Sequence, residues 1–263
     1  MPKLLSVLFT LYTFLVSSNS IILKEDPSIS VDCVVFGYDE MRLNALLVKR
    51  TLNHLDESTS TVWTLTGNHI YQEEPLEEAA ARVLRDLTGL EDVYLEQFGS
   101  FADPDRLKSP EDQEWLRSID HDPERRVITV GYFALLDSTK VTLQWRGRDV
   151  EWKPVREVGA LGFDHNHILE RALEALRNKM RHEPIGFELL PEKFTLTQLQ
   201  NLYEQIFDTR FDKRNFRKKV ARMKYVIPLD EKQVGVPHKP AQLFVFSREV
   251  FEKTRTELFD FIV

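Results

Sequence analysis

Residues 63–90 read WTLTGNHIYQEEPLEEAAARVLRDLTGL. Leu76, Ala79, Ala80, Val83, Leu84 and Leu87 recur at helical spacing, so this part predicts an amphipathic helix with one buried stripe. Gly89 stands just past its end, where a left-handed cap is favoured. Upstream, Trp63-Thr64-Leu65 followed by Gly67-Asn68 predicts a strand and then a turn. The stretch is therefore a strand, a turn and a capped helix.

Working outward, residues 28–48 (SISVDCVVFGYDEMRLNALLV) predict two strands joined by a polar turn at 37–42. A strand is expected within 93–101. A charged, proline-punctuated excursion follows at 103–126, with a short helix around 111–119. Residues 127–136 (VITVGYFALL) are the clearest strand, and 142–145 and 149–154 are shorter candidates. Asp164 is placed to cap a long helix reaching Met180, whose stripe is Ile168, Leu169, Ala172, Leu173 and Leu176. These elements make an α/β sandwich, a mixed sheet between helices, ending near Arg181.

Residues 183–263 predict a second module. Thr195 and Gln198 have capping-box spacing, and Phe194 can staple onto Leu199, starting a helix that runs to about Ile206. Asp212 caps a second helix over 213–223, with Phe216, Val220 and Met223 as its stripe. Lys213, Arg214, Asn215, Arg217, Lys218, Arg222 and Lys224 take up much of its remaining surface. A hairpin from 225–229 and 243–247, with Lys239 in its loop, completes a winged helix-turn-helix plan. Helix 213–223 is the one expected to enter a DNA groove.

Charge agrees with that division. The chain has 263 residues and a net charge of -7, yet from Pro191 onward fourteen Lys and Arg face ten Asp and Glu. The tail is thus about +4 and the rest about -11, an asymmetry suited to a polyanion. The only cysteine, Cys33, permits no internal disulfide. Hydrophobic residues make up 42% and charged residues 29% of the chain, which excludes a disordered or collagen-like class. Residues 1–20 have the form of a secretory signal, although the lone cysteine and the absence of an Asn-x-Ser/Thr sequon favour a cytoplasmic protein and a mis-assigned start. Export remains the alternative. The expected division is a leader at 1–24, a sandwich domain at 25–182 and a DNA-binding domain at 183–263.

The 63–90 stretch resembles the motif of Nudix hydrolases: Gly, five residues, Glu, seven residues, then Arg-Glu-aliphatic-x-Glu-Glu-x-Gly-aliphatic. Anchored on Thr88-Gly89-Leu90, it aligns without a gap and sets Arg82 at the motif arginine, Glu74 at the first glutamate and Asn68 at the first glycine. The resemblance implies a Nudix fold and, in active members, glutamates that bind magnesium for attack on a diphosphate. Those three positions here are Val83, Asp86 and Leu87. One carboxylate of three is left, so the expectation is a pocket that binds without cutting, with no metal or other cofactor. The alternative is a working hydrolase that uses magnesium through Glu74, Asp86 and Glu77 or Glu78.

The Nudix-like part and the basic module together resemble the Nudix-related transcriptional regulators of the NrtR type, with likeness to the arabinose regulators (AraR) among them. Residues 183–223 carry much of this. The resemblance implies a homodimer, operator DNA as partner, no membrane, and an effector such as a sugar or ADP-ribose. Candidate effector-binding residues are Trp63, Arg82, Phe101, Arg125 and Arg126. For Trp63 and Phe101 core packing is the competing reading, and for the arginine pair an ordinary strand-edge charge. His165, Asn166 and His167 read as helix-start residues in preference to a metal site, and His121 as a solvated side chain. No Walker loop, dinucleotide fingerprint or nucleophile elbow occurs.

Overall fold

The computed structural model describes residues 28–53, 58–118, 121–143, 149–237 and 239–254. The leader at 1–24 and much of the strand expected at 142–145 fall outside them; Thr142 and Leu143 belong to no strand.

The first part is a mixed sheet. Its strands are β1 (Ser28–Tyr38), β2 (Leu43–Asn53), β3 (Thr59–Thr64), β4 (Thr66–His69), β5 (Glu96–Phe101), β6 (Val127–Asp137) and β7 (Val150–Pro154). The main path runs β3-β2-β1-β6-β5, with β4 also pairing β1 and β7 pairing β2. β1 and β6 are parallel along their whole length, Ser28 opposite Val127 to Tyr38 opposite Asp137, and the other pairs are antiparallel. Among the described residues the sheet is accompanied by α1 (Leu76–Thr88), α2 (Pro110–Ser118) and α3 (His165–His182).

Strand periodicity divides the core. Val31 and Cys33 of β1 face α1 and pack with Ala79, Ala80, Val83 and Leu87. Val34, Phe36 and Tyr38 face the other way and join Ile168, Leu169, Ala172 and Leu176 of α3. Asp32 shares that second face, an acid where the pattern calls for hydrocarbon.

Gly89 takes φ 76° and its N–H bonds Arg85 O at 2.8 Å, the cap the sequence predicted. The turn expected at Gly67-Asn68 is not there. Both residues lie within β4, paired to Asp32 and Val31, and Asn68 is not in the left-handed region. Gly67 is required for closeness instead: a Cβ there would stand 1.7 Å from Asp32 Oδ1. Gly67→Ala should therefore lower stability by about 1–3 kcal/mol, read by urea denaturation; an unchanged midpoint would contradict this packing.

The second part contains α4 (Leu196–Phe207), α5 (Lys213–Val220), β8 (Val226–Lys232), β9 (Gln242–Phe246) and α6 (Arg248–Thr254). The capping box forms in full between Thr195 and Gln198. Phe194 and Leu199 lie in one cluster, and Phe194 also pairs with Phe244 of β9, which ties the hairpin to the helix start. Asp212 caps α5 by accepting from Asn215 N at 2.8 Å. That helix ends at Val220, three residues before the expected end, so Arg222 lies in the following turn. Buried Glu204 accepts from Gln200 Nε2, Phe211 N and Arg210 Nη1, each at 2.9 Å, and so fixes the turn that aims α5.

The two parts share one core. Phe187, Leu199, Leu202 and Phe216 belong to the same cluster as Phe36 and Leu176. Arg177 Nε donates to Ile206 O at 2.8 Å, Arg156 pairs with Asp208, and the Arg181 guanidinium lies 5.3 Å from the Phe207 ring centre.

Candidate effector cavity and nucleic-acid interface

Two of the motif remnants, Glu74 and Arg82, hold each other. Glu74 and Arg82 form a two-pronged pair, Nε–Oε1 2.6 Å and Nη2–Oε2 2.8 Å. Arg82 also donates to His69 O at 3.1 Å and lies 4.1 Å from the Tyr71 ring centre. Arg82, with help from Tyr71 N, holds the Glu74 carboxyl below its ordinary range against burial. The clamp fastens the loop after β4 to α1.

The residues do not fit a magnesium ion. Val83 and Leu87 are 1% and 3% exposed, turned into the sheet among Val31, Cys33 and Tyr132. Asp86 is exposed beside Arg85 at 3.5 Å and Arg82 at 4.0 Å, and Glu77 and Glu78 are exposed on the first turn. Among the described residues no three His, Cys, Asp or Glu side chains are grouped to hold a metal. A cation on this face would meet hydrocarbon.

Across the sheet, on the α3 side, is a small, half-open cavity. Its floor is Ser30, Asp32, His69 and Thr129, its wall Trp115 and Phe163. Asp32 meets His165 Nε2 at 3.3 Å, while His165 Nδ1 accepts from Leu65 N at 2.9 Å. Burial opposes ionisation of Asp32, but His165, then Arg106 and Arg50, hold its carboxyl below the usual value. Arg106, its side chain 4% exposed, forks onto Asp164 at 2.7 and 2.8 Å. Asp164 thus precedes α3 without capping it through its side chain, as its carboxylate is taken by an arginine 58 residues away. Arg50 donates to Thr64 Oγ1 at 3.1 Å and to Gly67 O, and stacks 5.5 Å from the Trp115 ring centre. Leu107 and Phe163 line the cavity with φ of 58° and 61°, a conformation bulky residues adopt only under constraint.

None of the five effector candidates read from the sequence lines this cavity. Trp63 packs against the α3-side core under Lys49, and Phe101 packs on Phe98 and His167. Arg82 is held by Glu74, and Arg126 Nη2 donates to Ala102 O at 2.5 Å. Arg125 comes nearest, since its charge acts on His69. His121 is half-buried, its ring centre 3.8 Å from that of His69. His165 is a buried partner of Asp32, and Asn166 bridges Leu161 N and Gly159 O.

On α5, Phe216 and Val220 are buried, whereas Lys213, Arg214, Asn215, Arg217 and Lys218 are exposed. Arg222 and Lys239 are exposed as well.

The chain matches the NUDIX domain over residues 26–175 and the NrtR DNA-binding winged helix domain over residues 186–246. An ADPR responsive transcriptional repressor of Acinetobacter baylyi is 30% identical over 231 residues, 86% of this chain and 84% of that one. The crystal structure of Shewanella oneidensis NrtR is 28% identical with a TM-score of 0.59, covering 83% of this chain and 94% of that one. The same protein complexed with a 27mer DNA gives a TM-score of 0.58 at 24% identity, over 89% and 97% of the two chains, a likeness of fold.

Proposed function

The chain belongs to the NrtR family, a Nudix domain followed by a DNA-binding winged helix, and from this premise we propose that it is an effector-controlled transcriptional repressor. The observation that carries the reading is α5, whose cap and buried stripe fix its direction while its cations remain exposed. Lys213, Arg214, Asn215 and Arg217 meet base edges or phosphates, with Lys218, Arg222 and Lys239 on the backbone. The protein acts in the cytoplasm as a homodimer on a two-fold operator. Among the described residues no helix is long and apolar enough to cross a membrane.

The effector enters the cavity floored by Asp32 and His69. Strained Leu107 and Phe163 support that assignment, because such backbone is concentrated where ligands are clamped. The A. baylyi relative, named as ADPR responsive, favours ADP-ribose over a free sugar. No hydrolysis accompanies binding, because the former metal face of α1 is hydrocarbon.

Fluorescence anisotropy with the DNA upstream of the gene tests this. Expected is sequence-specific binding that weakens steeply with salt and is altered by ADP-ribose or L-arabinose, without magnesium-dependent release of a monophosphate. Absence of specific binding under every ligand condition would remove the reading, and magnesium-dependent turnover would remove its inactive-sensor half.

A further inference from the structure

A second cavity, of about 360 Å³, lies where the two parts meet. It shares no lining residue with the cavity at Asp32, and its volume is within the roughly 300–1,000 Å³ of small-molecule sites. Leu43, Val155, Leu169 and Leu173 give it apolar walls from β2, the turn after β7 and α3. Arg177 of α3 and Gln205 of α4 bring polar groups from the two sides of the junction.

Other polar groups here are already spent. Arg156 pairs with Asp208, and the Asn166 amide bridges Leu161 N and Gly159 O. Arg177 and Gln205 differ. Arg177 Nε donates to Ile206 O at 2.8 Å, but among the described residues neither of its Nη groups has a hydrogen-bond partner, and the Gln205 amide has none either. Arg177 is half-buried, and burial holds its guanidinium below the ordinary value despite the nearby Asp208. A guanidinium stays charged in a protein, so this one has a positive charge that the chain answers only in part.

We infer that this cavity is a binding site for a small organic monocarboxylate, with its carboxylate on Arg177 and its apolar body against Leu43, Val155, Leu169 and Leu173. A carboxylate presents two coplanar acceptor oxygens to the two outer nitrogens of a guanidinium, and the Gln205 amide has an N–H for a remaining lone pair. A neutral amide or alcohol leaves the charge on Arg177 unanswered. A second negative charge on the ligand would meet Asp208 and the exposed Glu170, which disfavours phosphate and dicarboxylates. The bound acid touches α3 and α4 together, so it bridges the two parts of the chain.

Ligand-observed NMR titration of the full-length protein with hexanoate, benzoate, their amides and inorganic phosphate tests this, on wild type, Arg177→Lys and Gln205→Glu, with melting curves to confirm folding. Expected is a Kd of about 1 mM or below for at least one of the two acids, at least about tenfold weaker binding of its amide, and no displacement by phosphate. Arg177→Lys keeps the charge but loses the planar fork, and should weaken the acid at least about fivefold. Gln205→Glu leaves Arg177 in place and sets a carboxylate inside the cavity, so it should weaken the acid at least about tenfold; it decides the matter if Arg177→Lys does not fold. Failure of both acids to bind at about 10 mM overturns the site. So does equal affinity for acid and amide, displacement by phosphate, or a folded Gln205→Glu protein with wild-type affinity. The titration contains no DNA, so its failure leaves the repressor reading standing.

Discussion

Replacing Arg214, Arg217 and Lys218 together by alanine is expected to weaken operator binding by more than a hundredfold at about 100 mM salt, with effector affinity unchanged. All three side chains are exposed on α5, while Phe216 and Val220 carry its packing. Alanine also preserves helix propensity, so the loss is in DNA contact and not in folding. Each phosphate contact removed should flatten the logarithmic salt dependence by about 0.9, and a base contact among the three would relax sequence preference by about 1–3 kcal/mol at one position. Asp212→Ala is the gentler companion. It removes the bond to Asn215 N and costs about 1 kcal/mol of helix stability, so DNA affinity should fall less while the salt slope stays. Anisotropy from 50 to 200 mM salt reads both variants. A triple variant with wild-type affinity and slope would show that α5 does not face DNA.

The elements legible in the sequence are those set by local rules. The α1 stripe with Gly89 beyond it, the Thr195–Gln198 box and the Asp212 cap depend on neighbours within a few residues, and each forms as read. The motif alignment singled out Glu74 and Arg82 but gave no sign that they would spend themselves on each other. The cavity was not legible, since its residues come from β1, β2, β4, β6, the excursion at 103–126 and the start of α3. Local spacing carries no record of such a meeting. Asp164 illustrates this: the sequence offers a cap, and Arg106 takes it for an ion pair across the fold. One signal was present. Asp32 interrupts the apolar run SISVDCVV, and an acid inside a strand paired on both sides must find partners; those partners, His165 and the two arginines, mark the cavity.

Reinstating a carboxylate on the former metal face should unmake the fold sooner than restore chemistry. Val83→Glu is expected to cost on the order of 4 kcal/mol near neutral pH. Val83 is 1% exposed among Val31, Cys33, Ala79 and Leu87, with no cation to pair with. Burial without a partner raises the folded-state pKa of the introduced carboxyl above the value of about 4.3 that it has when unfolded. The folded state then binds more protons than the unfolded one between those two values, so stability falls as pH rises through that window. Below about pH 4 only the volume and neutral-burial cost remains; above the folded pKa the full penalty applies. Urea denaturation of the variant at pH 5 and pH 8 should thus show the larger deficit at pH 8, whereas Val83→Leu should show none of this slope. Magnesium should rescue neither stability nor hydrolysis, because Glu74 stays in its clamp with Arg82 and Leu87 still presents hydrocarbon. A Val83→Glu protein as stable at pH 8 as at pH 5, and further stabilised by manganese, would show that this face of α1 opens to solvent.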